Sequence, residues 1–149
     1  MSSISRKLPT ITRVLLGAVF FVFGLNGFLH FLPQPPAPER AMAFAGALNA
    51  TGYFFPLLKA TEVFAGALLL AGALVPFALT LLAPIIVNIV AFHAFLAPGN
   101  YAVIGLVLAT EIYLAYVNRA AFAPLFARRG ARATEAAPAR IEAAVSRAA

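Results

Sequence analysis

Hydrophobic residues form four long runs in this chain, and breaks that contain proline or glycine separate them. The runs extend over residues 14–32, 52–75, 77–97 and 101–118. About 20 apolar residues in a helix cross the ~30 Å hydrocarbon core of a bilayer, at ~1.5 Å per residue. The pattern therefore predicts four membrane-spanning helices.

The break between the first two runs is long and has its own pattern. Residues 33–38 are rich in proline, which ends a helix because it lacks the N–H group and clashes with the preceding turn. Pro38-Glu39-Arg40 is typical of a helix start, residues 41–49 are apolar, and Gly52 is a plausible terminator. This helix is too short to span a bilayer, so it lies at the interface or covers the bundle as a lid, or is a plain amphipathic connector. The predicted fold is all-α: a four-helix transmembrane bundle with a short interfacial helix between the first and second spans.

The composition agrees with a membrane protein. Hydrophobic residues make up 62% of the chain and charged residues 11%, whereas soluble domains carry about 25% charged residues. We expect one four-span domain over residues 1–126 and a flexible, basic, alanine-rich cytoplasmic tail over residues 127–149. With no cysteine in the sequence, this chain cannot form a disulfide, an iron–sulfur cluster or a thiolate zinc site.

The basic residues predict the orientation. Arg6, Lys7 and Arg13 precede the first run, and an arginine-rich segment follows the fourth. By the positive-inside rule both termini are cytoplasmic, and an even number of spans satisfies this. The net charge of +6 is therefore interpreted as membrane orientation and not as nucleic-acid binding, and the lipid bilayer is the expected partner.

Two charged residues lie inside the second run. Glu62 follows Phe54 by eight residues, which is roughly 12 Å along a helix, too deep for a carboxylate to reach bulk water. Lys59 shares its face, but a lysine that precedes a glutamate by three residues is the weaker order for such a pair. We therefore expect Glu62 to contact another helix as well, and Gly66 on the same face allows close approach. A structural pair and a functional site both remain open.

Further polar residues come from the other runs. With the predicted topology they cluster between the middle of the bilayer and its outer face. The candidate ligand-binding cluster, in which no catalytic residue or metal ligand is assigned, is Asn26, His30, Lys59, Glu62, Asn88, His93 and Glu111. Single polar residues in spans also commonly join helices to each other.

Four members of this cluster need separate comment. Asn88 and His93 are five residues apart and point roughly 140° away from each other on an ideal helix. Glu111 has no base nearby in sequence, so its partner comes from another helix or it is protonated. His30 and His93 could be axial ligands of haem, but two histidines alone are weak evidence, so haem is disfavoured.

Several segments resemble the DoxX family of small bacterial membrane proteins. They are GLNGFLHF at residues 24–31, GYFFPLLK at 52–59 with EVFAG at 62–66, and APIIVN at 83–88 with Phe92-His93. The resemblance covers roughly residues 10–126, and the glutamate-then-glycine pattern of the second span is its most specific part. It implies a four-helix bundle in a bacterial inner membrane. The family takes its name from the small subunit of a thiosulfate:quinone oxidoreductase.

The resemblance and the polar cluster together predict a protein that binds a quinone or another small amphipathic molecule. It would act as the membrane subunit of an oxidoreductase, with a redox partner subunit or a second copy of itself as partner. Whether the chain itself is an enzyme stays open. The alternatives are a non-catalytic structural or assembly protein and a small proton-coupled carrier.

Overall fold

The computed structural model describes residues 3–33 and 36–126, and every regular element in those residues is an α-helix. Three of the helices in the described residues are long and apolar enough to cross a membrane, or four if the bent pair of α5 and α6 is one span. The all-helical fold predicted from the sequence is therefore confirmed. The helices are α1 (Ser3–Leu29), α2 (Glu39–Ala50), α3 (Phe54–Ala71), α4 (Val75–Phe95), α5 (Tyr101–Val117) and α6 (Arg119–Phe126).

Four of these helices form a closed bundle within the compact unit Met1–Asn118. Helix α1 packs against α3, α3 against α4, α4 against α5, and α5 returns to α1, while α2 packs on α3. Helix α6, with Pro124 inside it, belongs to a second unit that begins at Arg119. The predicted tail, residues 127–149, lies outside the described residues.

Large apolar side chains occur on the surface of the bundle as well as in its core. Leu16, Leu69 and Leu82 are buried between the helices, whereas Leu15 and Leu106 are 60% and 68% exposed on the outside. Many other large hydrophobic side chains are exposed in the same way, and a soluble monomer rarely shows apolar patches of this extent. The bundle is therefore suited to a lipid environment, as a multi-pass membrane protein.

The closest helix contact joins α1 and α3. A Cβ atom added to Gly66 would lie 2.6 Å from the backbone nitrogen of Phe21 and 2.9 Å from the carbonyl oxygen of Gly17. No side chain fits between two backbones at that distance, so glycine is required at this position. The prediction that Gly66 lets another helix approach closely is confirmed.

Several helix boundaries differ from the predicted runs: α1 begins at Ser3 instead of residue 14, and α4 covers Val75–Phe95 instead of residues 77–97. Two of the other ends have a clear cause in the backbone. Helix α1 ends at Leu29, three residues earlier than expected, because His30 adopts a left-handed conformation with φ +52°. The backbone N–H of Leu32 then donates to Asn26 Oδ1 at 2.7 Å instead of continuing the helix. Helix α3 ends at Ala71, because Gly72 is left-handed with φ +73°. A left-handed His30 cannot be recognised from the sequence, and Gly72 is one of several glycines in its run. The hydrophobic run therefore continues past each helix end.

Arg13, in the first half of α1, links this helix to the carboxyl end of α3. Its guanidinium donates to the carbonyl oxygens of Leu69 and Leu70, which belong to the last turn of α3. The last carbonyl groups of a helix have no partner within the helix and carry the negative end of its dipole. Arg13 therefore caps α3 from a neighbouring helix. A Cβ at Gly72 would lie 2.7 Å from this guanidinium, so the glycine also leaves room for it.

The short helix predicted between the first two spans is present as α2. It begins at Glu39, directly after Pro38, and Glu39 supplies the acidic residue of the first turn. It ends at Ala50, followed by Gly52 with φ +73°. Ala41 is its buried residue, and most of its other side chains are exposed.

Candidate functional site

A cavity of about 700 Å³ lies at the end of the bundle that α2 covers. Its walls come from the carboxyl ends of α1 and α4, the first half of α3, and α2. Ligand pockets in proteins typically measure about 300–1,000 Å³ and are mostly apolar with a few polar groups. Among the residues that line it are Gly27, His30, Phe44, Lys59, Glu62, Asn88, Phe92 and His93.

Five of the seven predicted polar residues line this cavity, and they come from α3, from α4 and from the residue that follows α1. Two predicted members, Asn26 and Glu111, are not among its lining residues. The sequence argument placed these side chains at a common depth, and that placement agrees with a cavity bounded by α1, α3 and α4. The five lining residues are His30, Lys59, Glu62, Asn88 and His93.

The most buried of the five is Glu62, whose side chain is 5% exposed. Lys59 Nζ donates to Glu62 Oε2 at 2.8 Å, and the lysine side chain is 24% exposed. We expected Glu62 to take a partner from another helix as well, and the polar contact that the structure gives it is the one to Lys59. Helical side chains lean toward the amino end of their helix, which brings the carboxylate back over the preceding turn.

Gly27 of α1 makes room for this ion pair. A Cβ atom at Gly27 would overlap the Cγ and Cδ atoms of Lys59 and would lie 3.1 Å from its Cβ. The lysine stem therefore runs across the face of α1 where a side chain is missing. Gly24, three residues earlier, lets this part of α3 approach α1, because its Cβ would lie 2.8 Å from Val63 Cγ2 and 3.0 Å from Glu62 Cβ. The two glycines of α1 thus leave the space in which the ion pair and its helix turn lie.

The two polar residues of α4, which were expected to point apart, both line the cavity. Asn88 is exposed on the helix, and His93 is partly buried one and a half turns later. The cavity is wide enough to extend around this part of α4. His93 Nδ1 lies 2.8 Å from the carbonyl oxygen of Ile89, and a carbonyl can only accept, so Nδ1 carries the hydrogen. In the neutral ring Nε2 is then an acceptor.

Aromatic residues complete the walls, and the polar pattern of the sequence did not indicate them. Phe44 of α2 and Phe92 of α4 have ring centroids 6.1 Å apart, with the rings tilted by 42°. Phe92 also packs edge-on against His93, with centroids 5.4 Å apart. Phe44 thus joins α2 to α4 beside the cavity. Phe44, in the short helix predicted between the first two spans, was the feature of the sequence that could have indicated this wall.

The two predicted residues outside the cavity have different surroundings. Asn26 is buried and accepts the Leu32 N–H described above, so it stabilises the turn after α1. Glu111 of α5 is also buried, and its Oε2 atom has no hydrogen-bond partner among the described residues.

A second cavity of about 460 Å³ adjoins the first. It lies between α1, α4 and the start of α5, and most of its walls are valine, isoleucine and phenylalanine side chains. The residues that line both cavities are Lys59, Glu62, Ile89 and His93. The ion pair and the histidine therefore form the boundary between the two spaces.

The polar groups of the first cavity are suited to hydrogen bonding. Lys59 supplies a donor, Glu62 and His93 Nε2 supply acceptors, and Asn88 supplies both. Within residues 3–33 and 36–126, no three His, Cys, Asp or Glu side chains are grouped as metal ligands would be. Comparisons with protein-family models, with curated proteins and with solved structures find no match to this chain.

Proposed function

We propose that this chain is a DoxX-like protein of a bacterial inner membrane that binds a quinone, or a similar small amphipathic molecule, in the cavity beneath α2. The observation that carries the proposal is the ion pair between Lys59 and Glu62 in the wall of a mostly apolar cavity. A charged pair inside a membrane-spanning helix is expensive to bury, and such residues commonly mark functional sites. The cavity leaves space for a ligand beside this pair.

The residues present fit a quinone. Its two carbonyl oxygens need hydrogen-bond donors, which Lys59 Nζ and the Asn88 amide supply. The hydroxyl groups of the reduced form need acceptors, which Glu62 and His93 Nε2 supply. The rings of Phe44 and Phe92 add flat apolar walls for the ligand ring. The same cavity can therefore hold both forms of the molecule.

As the membrane subunit of an oxidoreductase, the chain would bind and orient the quinone and exchange protons with it. Reduction of a quinone to a quinol takes two electrons and two protons. The chain has no cysteine for thiol redox chemistry, so the electrons would come from a partner subunit that carries a redox cofactor. Lys59, Glu62 and His93 are the titratable groups that line both cavities, and they are the groups placed to exchange protons with the ring.

A non-catalytic structural or assembly protein is the second candidate. The observation in its favour is that Glu62 is paired within its own helix and Asn26 is bonded to the backbone. On this hypothesis the polar residues only stabilise the bundle. Breaking a buried ion pair by removing one partner costs about 3–5 kcal/mol, so stability separates the two candidates.

Glu62→Gln tests the proposal, because it removes the charge and keeps the shape. We expect the variant to insert and fold, and to bind the reduced form of the quinone at least about tenfold more weakly, since Glu62 is the proposed acceptor for its hydroxyl group and a hydrogen bond to a charged group contributes about 1.5–3 kcal/mol. Binding and melting temperature are measured on the same preparation in lipid nanodiscs. Glu39→Gln is the matched control, because Glu39 is exposed at the start of α2.

The two candidates predict opposite results for this variant. A large loss of melting temperature with unchanged quinone binding would support the structural candidate and contradict ours. A variant unchanged in both would show that Glu62 has neither role.

A further inference from the structure

The second cavity has the features of a site for a hydrocarbon chain. Asn100, Val103, Ile104 and Val107 line it from one face of the first two turns of α5. From Asn100 to Val107 this face is roughly 10 Å long at ~1.5 Å per residue. On the α1 side the cavity is lined by Val19, Phe20 and Phe23.

This cavity also reaches the outer surface of the bundle. Phe23 of α1 and Val103 of α5 line it and are 55% and 62% exposed. The exposed side chains between these two helices are apolar, as expected for a surface in contact with lipid. A hydrocarbon chain can therefore extend from the bilayer into the cavity without leaving an apolar environment.

The inner end of the cavity meets the polar groups already described. Lys59, Glu62 and His93 line both spaces, so a molecule that fills both has its polar part beside the ion pair. A polar ring with a long apolar chain matches this arrangement, because the two parts of the ligand need different surroundings.

We propose that the second cavity binds the hydrocarbon tail of the ligand, and that the ligand enters from the bilayer between α1 and α5. This inference rests on the proposed function and specifies its substrate class: a quinone whose ring carries a long hydrocarbon chain. A ring without such a chain occupies the first cavity alone.

The first experiment uses the unmodified protein in nanodiscs and a quinone with a photoreactive diazirine at the end of a ten-carbon tail. After irradiation the labelled residues are identified by mass spectrometry, with excess unlabelled tailed quinone as competitor. We expect competable label on residues 103–107 and on Phe23. Competable label confined to α2 would place the tail elsewhere and would overturn the inference while leaving quinone binding intact.

The second experiment fills the cavity. Val103→Trp places a large ring in it, and Leu106→Trp is the matched control, since Leu106 is exposed on the same helix and lines neither cavity. We expect Val103→Trp to weaken binding of the tailed quinone by at least about tenfold, equivalent to roughly two buried methylene groups. Binding of a tail-less benzoquinone should stay within about twofold, and Leu106→Trp should change neither.

The outcomes separate this inference from the proposed function. Equal binding of both quinones by the unmodified protein and by Val103→Trp would overturn the tail site alone. Failure of the unmodified protein to bind either quinone would overturn both proposals.

Discussion

Replacing Gly66 by alanine tests the closest contact in the bundle. The added Cβ would lie 2.6 Å from the Phe21 nitrogen, where an ordinary contact needs at least 3.4 Å. Because the obstacle is backbone, α1 and α3 have to separate by roughly that difference. Overpacking of this kind costs about 1–3 kcal/mol, and the better helix propensity of alanine returns about 0.5–1 kcal/mol. We expect a net loss of stability.

Gly105→Ala is the matched control. Gly105 lies within α5, and a Cβ added there meets nothing within 4 Å. Both variants gain the same helix propensity, so the difference between them reports the packing at Gly66 alone. A change of 1 kcal/mol shifts the melting temperature by about 2–4 °C in a domain of this size.

The assay is thermal unfolding in a mild detergent, followed by circular dichroism. We expect Gly66→Ala to melt several degrees below the natural protein, and Gly105→Ala to melt at the same temperature or slightly above. If Gly66→Ala melts at or above Gly105→Ala, then α1 and α3 do not meet at this glycine, and the packing of the α3 ion pair against α1 is wrong as well.

Three further predictions follow from other contacts. Gly27→Ala should displace the lysine stem beside it and weaken quinone binding by about tenfold, whereas Gly105→Ala, which has open space around it and lines neither cavity, should not; equal binding by the two variants would contradict this. Arg13→Gln should lower stability by about 1–3 kcal/mol through loss of its bonds to the end of α3, measured by thermal unfolding, and an unchanged melting temperature would exclude the cap. Alkaline phosphatase fused after Ala149 should be inactive and inserted near Pro36 active, because the basic termini stay in the cytoplasm, and the reverse pattern would refute the topology.

The sequence predicts the helices well because bilayer thickness sets a minimum length for an apolar run. It predicts α2 because proline and glycine mark both of its ends. It also predicts that five of the cavity residues lie near one another, because residue number along a straight helix measures the distance from its end. Gly66 could be predicted for a similar reason, since it shares a helical face with Glu62.

Other features depend on which helices are neighbours, and a hydrophobic run does not encode that. Arg13 caps α3 across 56 positions of sequence, and Phe44 meets Phe92 through a similar long-range contact. The ends of α1 and α3 were missed because one left-handed residue, His30 or Gly72, stops each helix inside its apolar run. The second cavity arises only when α1, α4 and α5 are assembled.

Insertion of α3 into the bilayer depends on the spacing of Lys59 and Glu62. A single charged residue at the centre of a helix raises the cost of insertion by about 2.5–3.5 kcal/mol. Because these two side chains are three residues apart, their contact can form once that turn of α3 is helical, before any other helix is present. The segment then passes from the translocon to lipid as a hydrogen-bonded unit without net charge. Helix α3 therefore does not have to wait for α4 or α5 to be synthesised.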